Sequence, residues 1–393
     1  MTEKNIKKMA GAKALIAMSG GVDSSVAAYL MKQQGYECIG ATMKLFDQDM
    51  LEKHAGQYPG NQTDEERTLP HDFAPDDKSL SLKQTQTCCS LEDVEDARSV
   101  AFRLGIPYYV FNFSDDFEQM VMKPFVESYE RGDTPNPCID CNRFLKFRHL
   151  LRRALELQCD VIVTGHYARI EEHEGRFLLR KGVDEKKDQS YVLYNLTQEE
   201  LAHTMFPLGG LNKSQIRQIA QEQGFINAQK PDSQDICFVP DGDYVGFMER
   251  YTGHSYPEGD FIDREGHILG THKGAVRYTI GQRKGLGIAF GEPMYVCGKD
   301  MAANTVMLSD NDALFSRELT AGDLNWISIE RLTAPMDVTA KIRYKHKEQP
   351  ATLYPEQDGT VRVVFQEPQR AITPGQAVVF YDGDYVVGGG RIR

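Results

Sequence analysis

The sequence predicts an α/β fold, in which a parallel sheet covered by helices is followed by a smaller all-β domain. Short apolar runs rich in β-branched residues alternate with helix-period segments in the first half of the chain, which is typical of a parallel sheet. These runs are ALIAM (14–18), ECIGATM (37–43), PYYVFNF (107–113) and DVIVTGH (160–166). From about residue 285 the pattern changes to period-2 alternation with turns, which predicts a small antiparallel barrel or sandwich.

The length of 393 residues predicts two or three domains, because a single hydrophobic core rarely grows so large. We place them at 1–211, 212–284 and 285–393, with the second beginning at the capped helix NKSQIRQIAQEQG. Residues 47–86 are acidic and rich in turn formers, so we interpret them as a mobile insertion. No apolar run is long enough to span a membrane, and no signal peptide is evident.

The eight cysteines are unevenly spaced, which predicts a cytoplasmic protein with reduced, catalytic or metal-bound thiols rather than a secreted disulfide framework. The net charge of −12 would by itself argue against a nucleic-acid partner. Residues 131–153 are nevertheless basic, and local patches decide polyanion binding.

The segment TPNPCIDCN (134–142) places a C-x-x-C pair directly after two prolines. Pro135 and Pro137 favour extended geometry in the residues before them, so we expect the thiols at the start of a helix. There the helix dipole and Arg143 can lower a thiol pKa. The helix itself, predicted over 142–158, has one apolar face. That face contains Phe144, Phe147, Leu151, Ala154 and Leu155.

The string AMSGGVDSSV (17–26) follows the first predicted strand and opens the first helix. Glycines let a backbone approach phosphate closely, and a helix N-terminus supplies N–H groups and a positive dipole end. A tight turn with a serine cap would also use two glycines, but the full string in this context favours a phosphate loop. The predicted nucleotide-binding residues are Ala17, Met18, Ser19, Gly20, Gly21, Val22, Asp23, Ser24 and Ser25.

SGGVDS resembles the pyrophosphate loop of the N-type ATP pyrophosphatases, which adenylate a carbonyl-type oxygen. The resemblance implies an adenine nucleotide hydrolase-like domain that binds ATP, with Mg²⁺ held partly by Asp23. The loop alone does not choose between amide-forming synthetases of small metabolites and enzymes that modify tRNA.

Further segments resemble, in order, the tRNA-specific 2-thiouridylases. They are TPNPCIDCN (134–142), VTGHYAR (163–169), KKDQSYVLYNL (186–196), KPDSQDICFV (230–239), YTIGQRKGLGI (278–288), AKIRYKHKE (340–348) and AITPGQAVVFY (371–381). The resemblance covers nearly the whole chain outside the predicted insertion.

The resemblance implies adenylation of the C2 oxygen of a tRNA uridine, with U34 of the Lys, Glu and Gln tRNAs as the family's target. Cys237 would hold a persulfide and Cys141 would be the nucleophile that liberates its sulfur. A cysteine desulfurase or a sulfur relay protein would supply that sulfur. Met43 and Gly165 would line the ATP site. The residues expected to meet the target base or the tRNA are Asn136, Pro137, Cys138, His166, Lys187, Asp188, Gln189, Arg343, Tyr344 and Gln376.

Cys138 departs from the family pattern, in which many relatives have aspartate, so an acid-base role for that aspartate does not transfer. Asp140 is close in sequence but is expected to point elsewhere. Cys138, Cys141 and Cys237 could instead bind three irons of a [4Fe–4S] cluster and leave one iron open for sulfide. A structural zinc ion lacks an evident fourth ligand. The persulfide and cluster mechanisms therefore both stay open.

The remaining cysteines carry weaker expectations. Cys38, Cys159 and Cys297 lie in apolar strand-like segments and are expected to be core thiols. Cys88 and Cys89 could have a redox or metal role.

The alternating cations Lys341, Arg343, Lys345 and Lys347 predict one basic strand face for RNA. We expect the C-terminal domain to bind tRNA without taking part in the chemistry. The rival functions are a metabolite amide synthetase and an iron–sulfur or sulfur-carrier module that binds nucleotide only as a regulator.

Overall fold

The computed structural model describes residues 11–46, 91–231, 236–288 and 290–393. The predicted insertion at 47–86 lies outside these described residues, as do Cys88 and Cys89. Within the described ranges, no helix has both the length and the apolar character needed to cross a membrane.

The first unit is built around a five-stranded parallel sheet with the order β3-β2-β1-β4-β7. Its strands are β1 (Lys13–Ala17), β2 (Glu37–Lys44), β3 (Tyr108–Asn112), β4 (Val161–Val163) and β7 (Thr204–Met205). On one face the helices α1 (Val22–Gln33), α2 (Leu91–Leu104) and α8 (Lys213–Glu222) pack into one apolar core. This confirms the predicted α/β class, because buried parallel strands need helices on their faces.

The helix α8 belongs to this first unit rather than to a second domain. Ile216 and Ala220 of α8 are fully buried in the same core as Val26 of α1. Its predicted start is confirmed, since the Gln215 side chain accepts a hydrogen bond from the Asn212 backbone N–H at 2.8 Å. The predicted boundary between residues 211 and 212 therefore falls inside the N-terminal unit as its packing defines it.

A second helical layer contains the thiol segment. Its elements are α3 (Ser114–Phe117), a π-helical turn (Glu118–Met122), α4 (Lys123–Glu130), α5 (Pro137–Asp140), a π-helix (Cys141–His149), α6 (Leu150–Glu156), a 3-10 turn (Ser190–Leu193) and α7 (Gln198–Ala202). The predicted apolar face is wrong at Leu155, which is 51% exposed, although Phe147, Leu151 and Ala154 are buried. The i→i+5 bonds of the π-helix widen its turns, so the residues after it are rotated relative to a 3.6-residue period.

The central unit is a four-stranded sheet with the order β10-β11-β8-β9, next to one helix. Its elements are α9 (Tyr244–Thr252), β8 (Gly259–Ile262), β9 (Ile268–His272), a 3-10 turn (Ala275–Arg277), β10 (Tyr295–Asp300) and β11 (Thr305–Ser309). Phe261, Val296 and Leu308 form its buried core. Because β10 and β11 pair here, the strands predicted to open the barrel at residue 285 belong to the central unit instead.

The C-terminal unit is a closed antiparallel barrel, which confirms the predicted class. A 3-10 turn (Asp312–Leu314) leads into its six strands, which are β12 (Phe315–Trp326), β13 (Met336–Lys341), β14 (Gln349–Pro355), β15 (Val361–Arg370), β16 (Ala377–Asp382) and β17 (Tyr385–Ile392). β12 pairs with both β15 and β17, which closes the ring. A hairpin from the first unit, β5 (Ala168–His173) and β6 (Arg176–Lys181), joins the edge of this sheet through the pair Tyr385–Arg180.

The basic strand predicted at 340–348 is not a strand. β13 ends at Lys341, and Arg343, Lys345 and Lys347 lie in the turn between β13 and β14. Their side chains therefore do not share one face of a sheet. Alternating residues project to one face only in a strand, and this segment is a turn.

Candidate active site

The predicted nucleotide loop lies between the carboxyl end of β1 and the first turn of α1. The hydroxyls of Ser24 and Ser25 each donate a hydrogen bond of 3.0 Å to the Gly21 carbonyl, and the Ser24 oxygen accepts one from the Ser19 N–H at 3.2 Å. The serines therefore fix the shape of the loop from below. A Cβ at Gly21 would meet only the Ser19 hydroxyl, at 3.5 Å, so this side of the loop is open to a ligand.

Two glycines in and around this loop are required by close packing. Gly20 has a positive φ of 74°, and a Cβ there would lie 2.4 Å from the Asp93 carbonyl oxygen of α2. A Cβ at Gly165, just after β4, would lie 2.9 Å from the Ser24 nitrogen. These contacts bring the ends of β1 and β4 and the start of α1 together, as in a phosphate site at a helix N-terminus.

The residues around Asp23 fit a site for Mg²⁺ and ATP. Lys213 donates to both Asp23 carboxylate oxygens at 2.8 Å, and the Tyr167 hydroxyl donates to one of them at 2.7 Å. A carboxylate and an ammonium beside an open glycine loop are the groups that Mg²⁺ and phosphate oxygens require. Mg²⁺ keeps several waters and shares substrate phosphates, so one protein carboxylate suffices.

The other predicted nucleotide residues lie at the same edge of the sheet. Ala17 ends β1, Met18 and Val22 are buried, and Met43 lies near the end of β2, where it pairs with Phe111 of β3. Met43 is partly exposed at this edge, as a residue that packs on adenine would be.

Contacts of Asn227 and Lys230 link the nucleotide loop and α2 to the segment that leads to Cys237. The Asn227 side chain amide donates to the Gly20 carbonyl at 2.8 Å and to the Ser25 hydroxyl at 2.9 Å. Lys230 donates to Asp93 at 2.8 Å and to Asp96 at 2.6 Å. No local pattern signals these contacts, because Lys230 and Asp93 are 137 positions apart.

Cys237 lies in a turn, partly exposed, next to a cluster of aromatic rings. The neighbouring Phe238 is 3% exposed, and its ring packs edge-to-face on Phe117 and Phe125 at centroid distances of 5.6 and 5.2 Å. Cys237 packs against a large core that also contains Cys141 and that extends from Leu15 of β1 to Val386 of β17.

Cys138 and Cys141 lie at the start of a helix, as predicted. Asn136 is extended, with φ −115° and ψ 94°, and its side chain oxygen accepts a hydrogen bond from the Cys138 N–H at 3.2 Å. Pro137 is the first residue of α5. Cys138 is exposed, whereas Cys141 is 7% exposed.

The described residues contain no group of three or more His, Cys, Asp and Glu side chains arranged to hold a metal ion. The choice between a persulfide and a cluster therefore rests on experiment. Cys38 and Cys159 are buried core thiols, as predicted, and Cys297 is partly exposed. Burial raises the pKa of Cys38 to about 11, which keeps its thiol protonated and unreactive.

Charged residues beside the thiols point toward the C-terminal barrel. Arg143 donates to the two Asp323 oxygens at 2.7 and 3.3 Å, so its guanidinium is committed to the barrel rather than to a thiol, contrary to our expectation. Asp140 is 7% exposed, and Arg391 of β17 lies 3.4 Å from both of its oxygens. Burial raises the pKa of Asp140 to about 6, against the lowering effect of Arg391 and Arg143. The Asp140 carboxylate is therefore paired with the barrel.

The KDQ segment consists of Lys187, Asp188 and Gln189, which were predicted to contact tRNA. Two of its side chains form hydrogen bonds inside the protein, next to the nucleotide site. Asp188 accepts hydrogen bonds from the Gly182 N–H at 3.0 Å and the Ser190 hydroxyl at 2.8 Å. The Gln189 side chain accepts one from the Tyr167 N–H at 3.0 Å, and thereby supports the residue that contacts Asp23. Lys187 is partly exposed beside them.

His166 lies below the surface. It is 8% exposed, its Nδ1 lies 2.7 Å from the Thr164 hydroxyl, and its ring packs near Phe147 and Phe206. Burial, and then Lys146, lowers its pKa well below the ordinary value, so the ring is neutral at pH 7. The imidazole therefore packs against Phe147 of the helix that contains Cys141.

The predicted tRNA residues of the barrel contact the thiol segment and the central unit. The Gln376 amide donates to the Thr134 carbonyl at 2.7 Å, and the Thr134 N–H donates to the Pro374 carbonyl at 2.9 Å. The Tyr344 hydroxyl donates to the Asp188 carbonyl at 3.1 Å. Burial, and then Asp188 and Cys138, raises the pKa of Tyr344 to about 12.

A cavity of about 470 Å³ lies between the central unit and the barrel. It is lined by Thr279, Ile280, Gly281, Gln282, Arg343, His346, Arg370 and Ala371. Among the described residues that line it there are three cationic or titratable basic groups and no carboxylate. Burial lowers the pKa of His346, and Arg343, Arg370 and Lys341 lower it further. Basic side chains gathered without a counter-charge favour an anion such as phosphate.

Family comparisons agree with this architecture. A family model described as the tRNA methyl transferase HUP domain matches residues 12–69 and 73–241. One described as the tRNA methyl transferase PRC-barrel domain matches residues 245–310, and one described as the aminomethyltransferase beta-barrel domain matches residues 316–392.

Curated relatives match the chain almost from end to end. A tRNA-specific 2-thiouridylase of Acetivibrio thermocellus is 52% identical and covers 98% of this chain and 100% of its own. One of Clostridioides difficile is 50% identical over 97% of this chain and 98% of its own, and one of Clostridium acetobutylicum is 50% identical over 97% and 99%. With identity of this level over the full length, the chain belongs to the family of tRNA-specific 2-thiouridylases.

Proposed function

We propose that this chain is a tRNA-uridine 2-sulfurtransferase, which converts a uridine of tRNA, U34 in the Lys, Glu and Gln tRNAs, to 2-thiouridine in the cytoplasm. The observation that carries the proposal is the identity of 50% or more, over nearly the whole length, to several proteins named tRNA-specific 2-thiouridylase. The combination of an open glycine loop with thiol segments in one chain supports it.

The first step uses the nucleotide loop. The uridine C2 oxygen attacks the α-phosphorus of ATP, the bond to the β-phosphate breaks, and pyrophosphate leaves. The Mg²⁺ ion, when bound, neutralises phosphate charge, and Asp23 is the carboxylate placed to hold it. Lys213, at 2.8 Å from both Asp23 oxygens, lies where it can transfer its hydrogen bonds to a phosphate oxygen.

The second step uses the thiols. A cysteine desulfurase or relay protein supplies sulfane sulfur to Cys237, giving a persulfide. The terminal persulfide sulfur attacks C2 and expels AMP, which leaves C2 joined to Cys237 through a disulfide. The Cys141 thiolate then attacks the Cys237 sulfur, so that 2-thiouridine leaves and a Cys141–Cys237 disulfide remains. An external dithiol reduces that disulfide and restores the enzyme.

The binding of tRNA is assigned to the thiol segment, the KDQ segment and the cavity between the central unit and the barrel. Cys138 would meet the target base together with Asn136 and Pro137, and its exposure supports this role. Arg343 has its Nε buried and without a hydrogen-bond partner among the described residues, which supports a phosphate in that cavity. Replacing Arg343 with alanine should weaken tRNA binding and flatten its salt dependence, with ATP affinity unchanged.

The decisive experiment is mass spectrometry of nucleosides from unmodified tRNA incubated with the protein, ATP, Mg²⁺, a cysteine desulfurase, cysteine and a dithiol. We expect 2-thiouridine from the wild type and none from Cys141→Ser or Cys237→Ser, while both variants still release pyrophosphate. If the wild type makes no 2-thiouridine under these conditions, the proposed function is wrong.

Cys138→Ser separates the two sulfur mechanisms. With a persulfide on Cys237, this variant should keep much of the activity of the wild type, because Cys138 only positions the base. Protein purified without oxygen that holds about four irons per chain, and loses both iron and activity in Cys138→Ser, would replace the persulfide by a cluster.

A further inference from the structure

The turn that contains Cys141 is held from two sides by side chains that take no part in sulfur transfer. Asp140 and Arg143 are three positions apart and so are neighbours on one helix face, and both form ion pairs with the barrel. The residue after Cys141, Asn142, donates from its side chain to the Val192 carbonyl at 3.0 Å on another side. The rotation of this turn about its own axis is therefore fixed.

The two barrel residues that make these contacts are themselves placed next to each other. Arg391 of β17 is in register with Gly322 of β12, and Asp323 follows Gly322 directly. The helix offers an acid and then a base, and the barrel offers the matching base and acid. If the helix docked in the opposite direction, Asp140 would meet Asp323 and Arg143 would meet Arg391. Repulsion between like charges therefore disfavours that orientation.

The backbone at Asp323 is shaped for this contact. Asp323 has a φ of 48°, in the left-handed region, and lies where the pairing of β12 with β17 shifts register between Gly322 and Asn325. Such bulges re-aim a side chain, and a non-glycine residue in this conformation persists only where its surroundings demand it. Here the re-aimed carboxylate meets Arg143 at 2.7 Å.

The loop before the helix is fixed by the same unit. Gly375 has a φ of 88°, and a Cβ there would lie 2.8 Å from the Asp133 side chain and 2.9 Å from the Thr134 nitrogen. Together with the hydrogen bonds of Thr134 to Pro374 and Gln376, this contact leaves no room for the loop to shift.

We propose that Asp323 and Arg391 of the C-terminal barrel are positioning residues for Cys141, so that the barrel sets the geometry of sulfur transfer in addition to binding RNA. This inference rests on the proposed function for its consequence in sulfur transfer, and it revises our expectation that the barrel has no part in the chemistry. Misplacing a reacting group by about 1 Å can cost about 100-fold in rate.

The test compares Asp323→Asn, Arg391→Met and the charge swap Arg143→Asp with Asp323→Arg. Arg391→Met should lower the rate of 2-thiouridine formation at saturating tRNA by about 10- to 100-fold, because it leaves a buried carboxylate without its partner. Asp323→Asn should lower the same rate by about fivefold, because the Arg143–Asp323 pair is half exposed and weaker. The tRNA dissociation constant and the rate of pyrophosphate release should stay within about twofold of wild type. The charge swap should recover most of the loss, because it restores the Arg143–Asp323 attraction with reversed signs.

The matched control is Arg362→Met. Arg362 is also a barrel arginine in ion pairs, but its partners Glu318 and Glu356 both lie in the barrel. Equal losses in the control and in the single variants, a parallel loss of tRNA affinity, or a charge swap that recovers nothing would each overturn the proposal. If Arg391→Met does not fold, Asp323→Asn decides alone, since Asp323 is half exposed.

A second measurement does not depend on the proposed function. The rate at which iodoacetamide alkylates Cys141, read by mass spectrometry without tRNA, should rise about fivefold in the single variants, because the buried thiol opens to solvent more often when the turn is held less firmly. In the charge swap it should return toward the wild-type rate. An unchanged rate in folded variants would overturn the positioning role even if the wild type forms 2-thiouridine. Absence of 2-thiouridine from the wild type, with the expected alkylation rates, would overturn the function and keep the positioning role.

Discussion

The segment with Cys138 and Cys141 is held to the barrel by charged side chains and backbone hydrogen bonds, whereas the segment with Cys237 is held by aromatic packing on one side. On its other side, the chain leading to Cys237 is tied through Asn227 and Lys230 to the nucleotide loop and α2. Cys141 is therefore held by the unit that we propose binds RNA, and Cys237 by the unit that contains the nucleotide loop. The two anchors should also respond to different perturbations, since ion pairs depend on salt and pH and aromatic packing does not.

The largest expected effect comes from the aromatic anchor. Phe238→Ala should lower the free energy of unfolding by about 3–5 kcal/mol, because it leaves a cavity between Phe117, Phe125 and Phe247. Urea denaturation measures the loss. Phe315→Ala is the control, since Phe315 is 44% exposed and its removal should cost well under that. Similar losses in the two variants would show that Phe238 does not anchor the Cys237 segment.

The buried ion cluster should have the next largest effect. Lys230→Met leaves Asp93 and Asp96 without their shared cation at sites that are 7% and 16% exposed, which should cost about 3 kcal/mol of unfolding free energy. The control is Arg98→Met, which breaks an exposed pair with Glu95 on the same helix and should cost about 0–1 kcal/mol. If the two variants are equally stable, the link between Lys230 and α2 is not a structural anchor.

The charged contact of Asp140 with the barrel should make the free energy of unfolding depend on pH. Because the pKa of Asp140 is raised to about 6 in the folded protein, the unfolded chain loses this proton first as pH rises. Ionisation of Asp140 therefore lowers stability between about pH 4 and pH 6. Asp140→Asn should therefore become more stable than the wild type across this window. The difference in the free energy of unfolding should reach up to about 3 kcal/mol at pH 7.

A pH series of urea denaturation measures this gain. Asp358→Asn is the control of opposite sign, since the Thr360 hydroxyl and N–H lower the pKa of Asp358 and wild-type stability from that residue falls toward low pH. A stability difference for Asp140→Asn that does not change with pH would contradict the raised pKa.

The smallest effect is expected at the half-exposed ion pair. Arg143→Gln should cost about 1 kcal/mol or less of unfolding free energy, because Asp323 is 50% exposed and solvent screens the pair. The loss should disappear in about 1 M salt, where the Debye length falls to about 3 Å. The loss in Phe238→Ala should persist at the same salt concentration, and a loss that persisted in Arg143→Gln would remove the distinction between the two anchors.

The parts of the fold that follow local rules were predictable from the sequence. The alternation of strands and helices, the glycine loop after β1 and the onset of a helix at Pro137 each depend on residues within one or two turns. The prediction of a basic strand at 340–348 was wrong because alternating cations do not require a strand. The prediction that Leu155 lies on the buried helix face was wrong because nothing in the sequence signalled the π-helical turns before it.

The contacts that position the thiols were not predictable, because they join distant parts of the chain. Arg143 and Asp323 are 180 positions apart, and the bulge that aims Asp323 has no signature in the sequence. The same holds for Lys230 and its two aspartates. A family resemblance could name Cys141 and Cys237, but the side chains that hold them follow only from the packing of three units.

The pairing of β6 with β17 has a consequence for how the protein is made. The Arg180 strand is synthesised about 200 residues before its partner Tyr385, so at about 5–20 residues per second the hairpin waits roughly 10–40 s on the ribosome. During that time its outer edge presents bare backbone to other chains. The first unit therefore completes this contact only after the barrel strand β17 has been synthesised.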